Sequence, residues 1–131
     1  MNTYQKGNLS EAVLTAKLLE AGYIVLIPVG GGHRYDLIID TPEGFKRIQV
    51  KTAKIRGQKI VFNVCSNNKG YKRKAYHGEI DFFGVYCTEF KECYLVPIDD
   101  VGVSEKALRI GESKKANSRV RMKNDFLIKS L

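Results

Sequence analysis

The stretch Tyr35-Asp36-Leu37-Ile38-Ile39-Asp40, followed after a short gap by Ile48-Gln49-Val50-Lys51, decides how this chain is expected to fold. Both segments are short and rich in branched apolar residues, and Thr41-Pro42-Glu43-Gly44 between them has the composition of a tight turn. This pattern predicts an antiparallel hairpin. Because side chains alternate along a strand, Gln49 and Lys51 are expected to share one face.

Pairing of these two strands is expected to bring Asp36 close to the face that carries Gln49 and Lys51. A carboxylate, an amide and an ammonium group then converge at one place. Oxygen donors are the ligands that Mg²⁺ prefers, and an ammonium group attracts a phosphate. The hairpin therefore predicts a magnesium and phosphate site.

An acid on one strand and an (Asp/Glu)-x-Lys motif on the next resembles the core of the PD-(D/E)XK nucleases, with Gln49 where an acid is usual. The order of the surrounding elements agrees, since a first helix carries Glu11 and the apolar segments 81–86 and 94–98 follow. The resemblance runs over residues 7–126 and is nearest to the bacterial group I intron-associated branch, whose members include homing endonucleases. It implies an α/β (α+β) fold, in which an N-terminal helix packs on a central mixed β-sheet with extra β-hairpins.

The resemblance also implies a catalytic role for Glu11, Asp36, Gln49 and Lys51. Asp36 would give a metal ion a carboxylate oxygen, Gln49 an amide oxygen and Val50 its backbone carbonyl, while Glu11 would reach the metal directly or through water. Lys51 would hydrogen-bond the attacking water and offset the charge that develops on the phosphate. Because Gln49 is neutral, we expect weaker binding of Mg²⁺ and one metal ion rather than two.

Glu11 and Asp36 also have a simpler structural interpretation. Glu11 lies three residues after Asn8, which is the spacing of a capping box, and both roles are compatible if the helix begins near Thr3. Asp36 taken alone would be a solvated residue at a strand edge. The glycines at 30–32 lack the Lys-Ser/Thr of a phosphate loop, so we interpret them as a flexible approach to DNA, with Arg34 touching a phosphate.

Basic residues are concentrated in part of the chain. The formal net charge is +8, and residues 46–74 contain ten Lys or Arg and no Asp or Glu. A second basic run covers residues 114–123. One-signed stretches of this length are typical of a surface that follows phosphates, because neutralising each phosphate releases counterions. The alternative is a solvated basic face that has no partner.

Two segments are the main candidates for contact with double-stranded DNA. In 69–76 charge alternates with tyrosine, which suits phosphates together with sugars or bases. The turn at 54–59 carries Arg and Gln, the usual readers of base edges in a groove. The candidate DNA-binding residues are Arg34, Lys54, Arg56, Gln58, Lys59, Lys69, Tyr71, Lys72, Arg73, Lys74, Lys114, Lys115, Arg119 and Arg121.

The remaining pattern predicts one domain over residues 1–131. Leu9, Ala12, Val13, Ala16 and Leu19 recur at helical spacing, with Gly22 placed to end the helix. Segment 67–78 is predicted to be a loop with at most one helical turn. The predicted strands cover 23–28, 35–40, 45–52, 59–65, 81–88, 92–97 and 107–110, and a short helix is expected near Asn124.

Composition excludes several other classes. No apolar segment approaches the roughly 20 residues of a membrane span, so no membrane partner is expected. Cys65, Cys87 and Cys93 are odd in number and lack metal-type spacing, which indicates reduced thiols in a cytoplasm. A zinc site that combines them with His33 or His77 is disfavoured, since neither Cys-x-x-Cys nor His-x-x-x-His occurs.

These observations predict a magnesium-dependent, site-specific endonuclease that hydrolyses double-stranded DNA, encoded in an intron as a homing endonuclease. Two alternatives remain open: a Holliday junction resolvase or other structure-specific nuclease, and a DNA-binding module that does not cut. Cutting both strands requires two active sites, so we expect a symmetric homo-oligomer, either a dimer or a dimer of dimers.

Overall fold

The computed structural model describes residues 1–68, 72–111 and 121–131. Two short 3-10 turns, Ile98–Asp100 and Lys123–Phe126, accompany one helix and nine strands in these ranges. None of the helical segments described has the length and apolarity that a membrane crossing requires. The elements are α1 (Thr3–Glu20), β1 (Ile24–Leu26), β2 (Leu37–Thr41), β3 (Gly44–Arg56), β4 (Lys59–Asn63), β5 (Cys65–Asn68), β6 (Lys72–Ala75), β7 (Phe82–Cys87), β8 (Glu92–Pro97) and β9 (Glu105–Arg109).

The long strand β3 organises the main sheet because its successive parts pair with different strands. Residues 44–48 pair with β2 in antiparallel fashion, residues 48–53 pair with β7 in parallel, and residues 54–56 pair with β4. Strands β1, β8 and β9 extend the sheet beyond β2, β7 and β4. The predicted hairpin is confirmed, and so is the predicted α/β (α+β) class with a helix on a mixed sheet.

Helix α1 begins earlier than the capping motif predicted from Asn8 and Glu11. The side chain of Asn2 accepts a hydrogen bond from the N–H of Gln5 at 2.8 Å, and the side chain of Gln5 accepts one from the N–H of Asn2 at 2.9 Å. This reciprocal pair is a capping box, so the helix starts at Thr3 and Glu11 has no capping role. Glu11 is therefore free to act elsewhere.

The buried stripe of α1 differs from the one that its apolar periodicity indicated. Leu14 and Leu18 are fully buried, whereas Leu9 and Leu19 are exposed. The packing is close at Gly84 of β7, where an added Cβ would lie 2.9 Å from Ile48 Cγ2 and 3.1 Å from Leu14 Cδ1. A glycine here lets the helix approach the sheet directly, which fixes the height of α1 above β3.

Apart from the contacts of α1, a hydrophobic core contains aromatic residues of β4, of β7 and of the segment between β6 and β7. Phe62, Phe83 and Tyr76 meet edge to face, with ring centroids 5.6–5.8 Å apart. Segment 67–78 was predicted to be a loop with at most one helical turn, and this is wrong for residues 67–68 and 72–75, because β5 and β6 pair in antiparallel fashion. Residues 69–71 lie outside the described part of the chain. These strands are polar and basic, so they lack the apolar alternation that identifies a strand in sequence.

Candidate active site

Asp36 lies directly before β2 and is fixed to β3 by two hydrogen bonds. Its backbone N–H donates to the carbonyl of Ile48 at 2.8 Å. Its carboxylate oxygen Oδ2 accepts from the backbone N–H of Val50, also at 2.8 Å. The ladder of the β2–β3 hairpin thus continues as far as Asp36, which holds the carboxylate beside the Gln49–Lys51 segment as the sequence predicted.

The carboxylates of Glu11 and Asp36 interact through space. Burial raises the pKa of Glu11, and the negative charge of Asp36 raises it further. Burial also raises the pKa of Asp36, against the lowering effects of the Val50 N–H and of the Lys51 ammonium. With the glycine loop at 30–32 they line a cleft of about 210 Å³. Two acids from distant parts of the chain therefore meet in one cleft.

Lys51 approaches the same cluster from β3. Its ammonium Nζ lies 3.5 Å from the carbonyl of Cys65 and 5.1 Å from the ring centroid of Tyr76. Burial lowers the pKa of Lys51, while the charge of Asp36 acts in the opposite direction. Among the described residues, the ion pairs within 4.0 Å do not include Lys51. Its half-buried charge is thus not bound to a carboxylate in the part of the chain that the structure describes.

Gln49 and Val50 complete the predicted ligand set, but with neutral groups. The amide Nε2 of Gln49 lies 3.5 Å from the carbonyl oxygen of Val50, a long contact for a hydrogen bond. Over residues 1–68, 72–111 and 121–131, no cluster of three or more His, Cys, Asp or Glu side chains is arranged to hold a metal ion. A metal ion at this site would therefore have two carboxylates, with an amide and a carbonyl as the further donors.

Sequence reasoning predicted Arg34 as a phosphate contact and missed its contacts inside the protein. Arg34 donates to Glu79 and to Ser66, each at 2.7 Å, and its guanidinium carbon lies 3.7 Å from the ring centroid of Tyr76. Glu79 is 45 residues from Arg34, so no local pattern indicates the pair. The alternating aromatic segment did include Tyr76, but as a surface contact, whereas Tyr76 is only 4% exposed.

A second missed contact joins the helix to the catalytic strand. The hydroxyls of Ser10 and Thr52 lie 2.6 Å apart, and Ser10 is 1% exposed. These residues directly neighbour Glu11 and Lys51. Their hydrogen bond therefore ties the turn of α1 that bears the carboxylate to the strand that bears the ammonium. A serine within the buried stripe of the helix was the available signal.

Most of the candidate DNA-binding side chains that the structure describes are exposed. Lys54, Arg56 and Gln58 are exposed around the β3–β4 turn, and Lys59 is half-buried. Several of the cations have acidic neighbours: Arg56 with Glu105 at 3.2 Å, Lys74 with Glu79 at 3.3 Å, and Arg121 with Asp125 at 3.6 Å. Arg73 is exposed on β6. Outside the described residues lie Lys69, Tyr71, Lys114, Lys115 and Arg119, together with the side chain of Lys72.

Comparison with known proteins adds two matches. The sequence model of the family described as PD-(D/E)XK endonuclease matches residues 1–129. Among solved structures, the bacterial homing endonuclease I-Ssp6803I resembles this chain with a TM-score of 0.76 and 26% identity, over 97% of this chain and 89% of that chain. No curated protein gives a significant match. The similarity covers the helix, the hairpin and the cluster described above.

Proposed function

We propose, from the premise that this chain belongs to the PD-(D/E)XK endonuclease family, that it uses Mg²⁺ to hydrolyse double-stranded DNA at a specific site. Family membership makes it a DNA endonuclease. The observation that carries the proposal is the convergence of Glu11, Asp36 and Lys51: beyond the effect of burial, the charge of Asp36 raises the pKa of Glu11 and that of Lys51. Likeness to a bacterial homing endonuclease supports the further proposal that an intron encodes this chain for homing.

The residues present fit a divalent cation. The raised pKa values of Glu11 and Asp36 mean that the folded protein resists holding both carboxylates charged, and a bound cation relieves this repulsion. Glu11, Asp36, the amide oxygen of Gln49 and the carbonyl of Val50 would hold the ion. They are all oxygen donors, the type that Mg²⁺ accepts. Nucleases of this family usually use divalent metal ions.

The protein groups divide the remaining chemistry among them. When bound, a divalent ion polarises the phosphate and lowers the pKa of a water molecule. The ammonium of Lys51 donates to the attacking water and stabilises the negative charge that builds up on the phosphate oxygens. The Val50 N–H keeps Asp36 oriented through Oδ2. Gln49 contributes a dipole but no charge, which supports a single-metal site.

The DNA contacts in this proposal are the exposed basic groups. Around the β3–β4 turn they are Lys54 and Arg56, with the exposed amide of Gln58 and the half-buried Lys59 beside them. On β6 they are Arg73 and Lys74. Their charges attract a polyanion, and the turn offers side chains that read base edges. The other candidates stay predictions: Lys69, Tyr71, Lys72, Lys114, Lys115, Arg119 and Arg121. The guanidinium of Arg34, also a candidate, donates its hydrogen bonds to groups of the protein.

We further propose that a symmetric homo-oligomer, a dimer or a dimer of dimers, acts on a roughly palindromic site. Each active site faces one strand, so a double-strand break requires two copies. Sedimentation should give an oligomer free or on DNA, and a monomer under both conditions would contradict this. We place the enzyme in the cytoplasm, a proposal that the free and buried Cys65, Cys87 and Cys93 support.

A cleavage assay tests the function. Wild type and Lys51→Ala are incubated with a randomised duplex library and with a four-way junction, each in Mg²⁺ and in EDTA. We expect discrete Mg²⁺-dependent cuts in duplex DNA that the variant does not make. Cutting of the junction alone would indicate a resolvase, and tight binding without any cleavage would indicate a DNA-binding module.

A further inference from the structure

The guanidinium group of Arg34 joins three segments of the chain. Its Nε donates to Glu79 at 2.7 Å, its Nη1 donates to Ser66 on β5 at 2.7 Å, and its Nη2 donates to the carbonyl of Ala75 on β6 at 2.8 Å. Arg34 itself lies two residues before Asp36. A planar guanidinium with several bound acceptors holds a fixed orientation, so these contacts fix the β5–β6 hairpin to the segment that carries Asp36.

The same hairpin contacts Lys51. The ammonium Nζ of Lys51 lies 3.5 Å from the carbonyl of Cys65, the residue directly before Ser66. The ring of Tyr76, directly after β6, lies 3.7 Å from the guanidinium carbon of Arg34 and 5.1 Å from Nζ of Lys51. Both cations are therefore within range of one aromatic ring. That ring is buried against Phe83, with centroids 5.6 Å apart, so it is a fixed surface.

We infer that Arg34 is a positioning residue: it holds the β5–β6 hairpin and the ring of Tyr76 against Lys51, and so sets where the Lys51 ammonium lies relative to Asp36. The inference rests on the proposed nuclease function and goes beyond it by assigning Arg34 a role inside the protein. Arg34 donates from all three of its guanidinium nitrogens to groups of the protein, so the side chain is oriented inward rather than toward a phosphate. Loss of Arg34 therefore acts on the cleavage step rather than on DNA affinity.

The test separates the rate of cleavage from binding. Single-turnover cleavage is measured with excess enzyme in Mg²⁺, on a duplex recovered as cut from the randomised library, and the Kd for that duplex is measured in EDTA. For Arg34→Met we expect a maximal rate about 10- to 100-fold lower, as a displaced catalytic group produces, with the Kd within about twofold of wild type. Arg34→Lys keeps the charge but not the planar fork, so it should restore little of the rate.

Arg47→Met is the matched control. Arg47 also pairs with an acid, Asp81 at 3.2 Å, but it is not among the candidate DNA contacts and does not touch Lys51. We expect the control to keep the wild-type rate and Kd. If Arg34→Met does not fold by circular dichroism, Ser66→Ala tests the same link through a smaller deletion, and its maximal rate should fall about threefold or more.

Each outcome decides between interpretations. An unchanged maximal rate in Arg34→Met, or in Ser66→Ala where that variant replaces it, would overturn the inference. A Kd that weakens as much as the rate would overturn it too, since Arg34 would then be a DNA contact. Failure of wild type to cut any DNA, with Lys51→Ala equally inactive, would instead remove the proposed function and this inference with it.

Discussion

Two pairs of carboxylates in this protein lie in opposite electrostatic settings. Burial raises the pKa of Glu11 and of Asp36, and their mutual repulsion adds to the effect at Glu11. Burial acts the same way on Glu79 and Asp81, but basic side chains outweigh it. Hydrogen bonds from Arg34 and Lys74 hold the pKa of Glu79 below its ordinary value, and Arg47 does the same for Asp81.

This difference distinguishes charges that hold the fold together from charges that are available for chemistry. A carboxylate with an arginine partner stabilises the folded state in its ionised form. Two carboxylates that repel each other in a cleft destabilise it, and such arrangements cluster at functional sites. Glu11 and Asp36 thus differ from Glu79 and Asp81 in the direction of their pKa shifts as well as in position.

The largest effect on the cleavage rate is expected from Lys51, the cation beside Glu11 and Asp36. Lys51→Ala removes the charge that stabilises the reacting phosphate, so the cleavage rate should fall at least about 100- to 1,000-fold. Binding to the same duplex in EDTA should change little, because Lys51 is half-buried. The control is Lys46→Ala at the other end of β3. Equal losses of binding and cleavage would mean that the variant misfolds or that the site is assigned wrongly.

The basic residues of β6 should behave in the reverse way, with an effect on affinity rather than on chemistry. Replacing Lys72, Arg73 and Lys74 by alanine should weaken DNA binding and reduce the slope of log K against log salt by about one for each phosphate that is no longer neutralised. The slope is measured by titration at several salt concentrations. An unchanged slope would remove this hairpin from the interface, and the maximal cleavage rate at saturating enzyme should stay near wild type.

The sequence predicted the residues of the candidate site but not the contacts that support them. Turn composition and period-two alternation identify the β2–β3 hairpin, and the hairpin brings Asp36 beside Gln49 and Lys51 without any tertiary information. Glu11 came from the family resemblance, because nothing local connects a residue of α1 to a strand that follows it. The candidate cluster was therefore predictable as a set of residues.

The contacts that support the site could not be predicted, because they join residues that lie far apart in the sequence. The contacts of Arg34 with Glu79 and of Ser10 with Thr52 span 45 and 42 residues. Periodicity reports which face of an element is apolar, but it does not report which polar groups meet across the fold. The β5–β6 hairpin was not predicted either, because its strands are polar and Arg34 binds them from another segment.

A smaller effect, on thermal stability, distinguishes Asp36 from Asp81. Asp36→Asn keeps an oxygen that accepts from the Val50 N–H but removes a charge that the fold disfavours, so the Tm in EDTA should rise. Asp81→Asn removes a charge that Arg47 stabilises, so its Tm should fall. Each change should amount to a few degrees for a chain of this size. Shifts of the same sign in both variants, measured by thermal unfolding, would contradict the comparison.

The smallest expected effect lies in the pH dependence of stability, where the two regions act with opposite sign. Glu79 and Asp81 have lowered pKa values, so their stabilisation is full above the ordinary values of 4.5 and 3.8 and is lost as the pH falls through the folded-state values. Glu11 and Asp36 have raised values, so stability declines as the pH rises from 4.5 and 3.8 through their folded-state values. Urea unfolding in EDTA, from about pH 3 to pH 7, resolves the two limbs. The double variant Glu11→Gln/Asp36→Asn should lose the decline in stability toward neutral pH and keep the loss of stability at acidic pH. The double variant Glu79→Gln/Asp81→Asn should reduce only the loss of stability at acidic pH. Curves that stay parallel to wild type would show that the two sets of carboxylates do not differ.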